Sequence, residues 1–263
     1  SSAVLSATTF SGNGASADRG GGAYFRGAAA LSATSFVSNT AANRAGGAYF
    51  FATATLTNAN FIGNTGTQRA GGAYFSGVTT VNGGLFQANR CTASCLGGGL
   101  FTSGALLLNG VAILGNTADD QGGGAYLEGG ASVVNSTIAQ NHSGANGGGI
   151  ANAGGAVTII AGTVASNTAD SDGGGIFNTG AGSAVTATAG SLVQANSAQF
   201  GGGIANDNAA RFTLSAASMI RANVAISYGG GIINGGAGLI TIDASTLIAN
   251  HAVQGGALQN NYP

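Results

Sequence analysis

Phe36-Val37-Ser38-Asn39, followed by Arg44-Ala45-Gly46-Gly47-Ala48-Tyr49-Phe50, returns as Phe61-Ile62-Gly63-Asn64 and Arg69-Ala70-Gly71-Gly72-Ala73-Tyr74-Phe75, a step of 25 residues (39 to 64). Self-similarity at such a period marks a repeat architecture. Working outward, the glycine phrase ends at Gly22, Gly47, Gly72, Gly99, Gly124, Gly149, Gly175, Gly203, Gly231 and Gly256, in steps of 25 to 28 residues. An apolar residue three positions before an asparagine alternates strictly with it, at Asn13, Asn39, Asn64, Asn89, Asn116, Asn141, Asn167, Asn196, Asn223 and Asn250. Eight residues before most of these asparagines stands a further aliphatic: Leu5, Leu31, Leu56, Val81, Leu108, Val133, Ile159 and Ile242. In two coils with longer steps the best match slips by one, to Ala187 and Leu214. Around these positions polar and apolar residues alternate with period two, as in Thr55-Leu56-Thr57, which is a strand pattern. Each unit thus holds three short strands, too few to bury a core alone and enough once neighbours stack.

The fold expected is all-β: a parallel β-helix of about ten coils, three strands per coil, right-handed because parallel crossovers nearly always are. Asparagine tolerates the left-handed backbone region, and stacked amides can bond from coil to coil, so a structural ladder is expected at Asn13 through Asn250. Glycine permits positive φ and close backbone approach at the corners.

Composition agrees. Of 263 residues 50 are glycine, one is proline, none is lysine or tryptophan, and only 6% are charged, against about 25% in an ordinary domain. Apolar residues reach 44%, which excludes disorder of the highly charged kind. Glycine without a three-residue period or proline excludes collagen. No stretch of 18 apolar residues is free of polar punctuation, so membrane insertion is not expected. A formal charge of −1 argues against nucleic acid or an anionic membrane as partner.

The paired signatures, Gly-Gly-Ala as in Gly46-Gly47-Ala48, Gly71-Gly72-Ala73 and Gly255-Gly256-Ala257, and Phe-x-x-Asn as in Phe10-Asn13, Phe36-Asn39, Phe61-Asn64 and Phe86-Asn89, resemble the polymorphic outer-membrane protein repeats first described in chlamydial surface proteins. They also resemble surface proteins built of right-handed β-helix repeats. From Ile113 onward an aliphatic replaces the phenylalanine. The resemblance implies a secreted or cell-surface passenger, often adhesive.

Two columns are expected to face outward. Tyr24, Tyr49, Tyr74, Phe101 and Tyr126 form an aromatic stripe, read either as an exposed surface for sugar rings or protein or as stacking that stabilises neighbouring coils. Thr55, Thr80, Thr158, Thr186, Thr213 and Thr241, with Thr57 and Thr188 two residues on, are similar to the arrays of ice-binding proteins; threonine is also an ordinary strand residue. Loop charges gather between each asparagine and the next glycines: Asp18, Arg19, Arg44, Arg69, Arg90, Asp119, Asp120, Asp170 and Asp172. The four later acids suit either calcium, which wants several oxygens, or plain solvation, and no metal is assigned.

Cys91 and Cys95 occupy a loop two residues longer than its neighbours, and a disulfide there would pin the insertion and imply an oxidising compartment; a reduced buried pair is the alternative. Polysaccharide-degrading enzymes share this architecture, but their chemistry needs paired carboxylates across a groove, or a base beside a cation. No such set assembles from these residues, so no catalytic residue and no cofactor are assigned. The repeat runs from Ser1 to the last glycine phrase, consistent with one β-helix domain over 1–263 that is either a segment of a longer solenoid or a unit stacking head to tail on copies of itself. The function expected is non-enzymatic: a cell-surface or extracellular adhesin meeting a glycan or protein, or a structural fibre unit. Ice binding and polysaccharide binding or degradation are the alternatives.

Overall fold

The computed structural model describes residues 1–262. It is a parallel β-solenoid of ten coils with no helix among these residues, so no helix is long and apolar enough to cross a membrane. Three sheets run its length: one of 18 strands, one of nine very short strands and one of ten. The first carries two consecutive strand segments per coil, fused in Ala54–Ile62 and Thr79–Gln87.

Register follows the repeat. Leu5, Leu31, Leu56, Val81, Leu108, Val133, Ile159, Ala187, Leu214 and Ile242 pair in succession. The slip read at Ala187 and Leu214 is therefore real. Its extra residue is absorbed in the following turn, where Ala189 with Gly190, and Ala216 with Ala217, take positive φ in tandem. Inside, Phe10, Phe36, Phe61 and Phe86 stack with ring centroids 4.7 to 4.9 Å apart, and Phe25, Phe50 and Phe75 form a second stack. Further along, isoleucine and valine fill the same interior.

The asparagine ladder is present over all ten coils. Asn116 is typical: its backbone N–H and its Nδ2 both donate to Asn141 Oδ1 at 2.9 Å, and Nδ2 also donates to Phe86 O at 2.9 Å. Its own Oδ1 accepts the matching pair from Asn89. One expectation is corrected here. The left-handed residue is the one before the asparagine, as at Ser38 (φ 52°), Ala88 (φ 52°) and Gln140 (φ 59°). That turn aims the amide inward, where it is fully buried from Asn39 to Asn223.

The glycine phrase and the asparagine phrase meet at one corner. In Gly122-Gly123-Gly124 the first glycine takes positive φ (70°); alanine holds the same place at Ala45 (φ 58°) and Ala70 (φ 57°). A Cβ on Gly123 would run into the backbone of His142, and one on Gly124 would lie 2.6 Å from Gly149 O and 3.1 Å from Asn141 Cγ. The last glycine of each run from Gly22 to Gly231 therefore leaves the space that the ladder amide of the next coil occupies.

Candidate functional site

The aromatic stripe is in register as expected, Tyr24, Tyr49, Tyr74, Phe101 and Tyr126 pairing in order. Its expected exposure is corrected: Tyr49, Tyr74, Phe101 and Tyr126 are buried, and only Tyr24 remains 44% exposed. The alternation correctly aims these rings away from the inner core, but the loop of each coil folds back over them. Ala45, Ala70 and Leu96 close a second apolar cluster. Arg19, Arg44 and Arg69 lie over Tyr49, Tyr74 and Phe101 at 5.1, 5.8 and 4.8 Å from the ring centroids, a cation–π arrangement. The rings stack at 4.6 to 5.2 Å from Tyr49 to Tyr126. This column staples coils together and is not an open binding stripe.

The threonine column does face outward. Thr55, Thr80, Leu107, Ser132, Thr158, Thr186, Thr213 and Thr241 pair on successive coils; Thr55, Thr57 and Thr241 are exposed, and Thr80, Thr158, Thr186, Thr188 and Thr213 half-buried among their neighbours. From Ala3 to Gln194 no strand of this 18-stranded sheet contains a charged residue. At its edge a groove of about 310 Å³ crosses four coils along Thr80, Leu107, Ser132 and Thr158.

The loop acids do not converge. Asp119 meets Arg90 at 3.4 Å, and Asp170 stands 4.0 Å from His142 Nε2. Among the described residues no three His, Cys, Asp or Glu side chains gather as a metal site. Asp172 turns instead toward a cavity of about 200 Å³ lined by Phe177, Phe200, Ala205, Asp207 and Ile233. Burial pushes its pKa above the ordinary 3.8; a hydrogen bond from Ser171 Oγ at 2.8 Å opposes this and the charge of Asp207 adds to it. The folded state therefore holds this proton more tightly than the unfolded chain, and stability is lost as pH rises from 3.8 through the folded pKa. Asp172→Asn is expected to leave the melting temperature unchanged at pH 3 and to raise it at pH 7. A variant equal to or less stable than the parent at pH 7 would contradict this cause.

Cys91 and Cys95 form a disulfide, with Cα atoms 5.3 Å apart and both side chains fully buried. Closing so short a loop is worth about 2 kcal/mol in the chain-entropy model. Reduction is expected to lower the melting temperature by that equivalent; an unchanged melt with both thiols free by mass would refute it.

Sequence reasoning missed a second amide ladder. Asn152, Asn178, Asn206, Asn234 and Asn260 bond Nδ2 to Oδ1 in series at 2.8 to 2.9 Å. The signal was an asparagine three residues after the last glycine in four consecutive repeats, and four residues after Gly256 in the fifth. The ladder takes over the column that holds Phe25, Phe50 and Phe75 earlier in the chain. With the geometry in view, the class the chain belongs to is the parallel β-solenoid. No family model, curated protein or solved structure matches it.

Proposed function

We propose that this solenoid is a non-enzymatic surface protein, extracellular or displayed at a cell surface, whose contact face is the long sheet. The observation that carries this is the in-register, uncharged outer surface from Ala3 to Gln194. A flat face of small hydroxyl and aliphatic side chains is cheap to desolvate, and its rigid backbone has little entropy left to lose on contact. The similarity of its repeat phrases to polymorphic outer-membrane protein repeats supports an adhesive role. With Tyr49 to Tyr126 covered, the adhesive residues are sought in the column from Thr80 to Thr158 and its groove.

Retention on an array of immobilised glycans tests this, with the double variant Thr80→Arg and Thr158→Arg placing charge on the face without touching the core. Parent binding lost in the double variant is the result expected. Equal retention by both would move the contact elsewhere, and filaments in electron micrographs without glycan retention would favour the structural-fibre role.

Ice binding is the second reading, favoured by one specific observation: Thr158, Thr186, Thr213 and Thr241 align on four consecutive coils, at a spacing of about 4.8 Å. Thermal hysteresis abolished by Thr186→Arg would establish it, and no hysteresis in the parent protein would exclude it.

A further inference from the structure

The residue that precedes the left-handed corner of each glycine run forms one column along the solenoid. Backbone N–H groups of successive coils donate to the carbonyls of Arg44, Arg69, Leu96, Gln121, Asn146, Asp172, Phe200, Tyr228 and Gln254 in turn. In the first coils this column supplies its own cation. Arg69 lies over the Phe101 ring, and its Nη1 stands 4.0 Å from Glu128 Oε1, so guanidinium, ring and carboxylate come together.

Later the chemistry of the same columns inverts. Asp172 stands where Arg69 stood, and Asp207 is four residues after its glycine run, as Glu128 is after its own. The ring column now reads Phe177, Ala205 and Ile233, and the small Ala205 leaves the cavity of about 200 Å³ beside Phe177 and Phe200. The ion pairs among the described residues include neither Asp172 nor Asp207. Two carboxylates and two rings are present, and the cation that completes the set in the earlier coils is not supplied by this column.

We infer that the cavity between Asp172, Asp207, Phe177 and Phe200 binds the guanidinium or ammonium head of a small organic cation. Size limits the ligand: the cavity is below the usual range for whole drug-sized molecules and accepts a head group rather than a ring system. A divalent metal fits less well, because calcium seeks six to eight oxygens while half of this lining is apolar. The neighbouring Asn206 amide is already committed to Asn234 Oδ1 and Ala210 O. Aromatic rings and carboxylates lining one cavity favour a cation that is large, weakly hydrated and flat or fully substituted.

Calorimetric titration of the whole protein with methylguanidinium, against its neutral isostere N-methylurea, tests this. Methylguanidinium is expected to bind at least tenfold more tightly than the urea. Asp172→Asn should weaken it about tenfold, and Asp172→Asn combined with Asp207→Asn should abolish it. Ala205→Phe restores a ring in the column without altering charge and should abolish binding by filling the space; circular dichroism confirms that each variant keeps its β signal. Equal binding of the urea, undiminished binding by the double variant or by Ala205→Phe, or calcium displacing methylguanidinium at equimolar concentration would each overturn the assignment.

Discussion

Replacing Asn116 by alanine is expected to cost about 2–6 kcal/mol, since it leaves two buried donors without their acceptor and each such group costs about 1–3 kcal/mol. The substitution removes Oδ1, the acceptor of both the Asn89 N–H and the Asn89 Nδ2. It also removes the donor to Phe86 O and one of the two donors to Asn141 Oδ1. Water cannot substitute, because Asn89, Asn116 and Asn141 are all at most 1% exposed. Asn13→Ala is the internal control. That side chain is exposed in the first coil and donates to Asn39 Oδ1 at 3.0 Å, so its loss is expected to stay within about 1 kcal/mol. Solenoids unfold by coils as well as globally, so amide hydrogen exchange at the flanking coils is the appropriate readout, with the thermal midpoint beside it. Equal effects at Asn116 and Asn13 would show that the ladder contributes no more than its exposed end.

The ladder also shows what the sequence could and could not convey. Its ten positions, the aliphatic column and the slip at Ala187 and Leu214 were all legible, because stacking forces each coil to repeat the same inward residue at the same step. The left-handed residue was not legible: the position before the asparagine is glycine, serine, alanine or glutamine, and side-chain identity there carries no common signal. What holds it is the turn that aims the amide inward. The aromatic stripe failed for a different reason. Period-two alternation distinguishes one side of a strand from the other, and Tyr49 and Tyr74 do point away from the inner core. Whether a loop returns over them depends on Arg19 and Arg44 reaching across to the next coil, a contact between residues 30 apart (19 to 49, 44 to 74). The cavity at Asp172 was beyond reach for the same reason, since its lining joins Asp172 and Phe200 of the loop column to Phe177, Ala205 and Ile233 of the ring column, residues far apart in the chain.

Interchangeable as they look in the sequence, the glycines of one run should respond very differently to a methyl group, and Gly124→Ala should be far more damaging than Gly122→Ala. Its Cβ would lie 2.6 Å from Gly149 O and 3.1 Å from both Asn141 Cγ and Asn141 Nδ2. Neither neighbour can retreat. Gly149 O accepts the Ala125 N–H at 2.9 Å, a bond that joins adjacent coils, and the Asn141 amide is held by Asn116, Asn167 and Ile113 O. Relief requires the coils to part and the rung to break together, so a loss of at least about 4 kcal/mol is expected, the range reserved for buried disruptions. Gly122→Ala is the contrast. The corner is left-handed there (φ 70°) and a Cβ would lie 2.6 Å from Ala125 O, but Ala45 and Ala70 already hold the same corner with a Cβ in place at φ 58° and 57°, so the cost should fall near the 1–3 kcal/mol of a strained non-glycine residue. Denaturation midpoints of the two variants, read beside Asn116→Ala, decide the point. If Gly124→Ala and Asn141→Ala damage the same corner, combining them should cost clearly less than the sum of the two single changes, because removing the amide vacates the space the methyl needs. Full additivity would mean that the glycine and asparagine phrases are separate devices that happen to share a period.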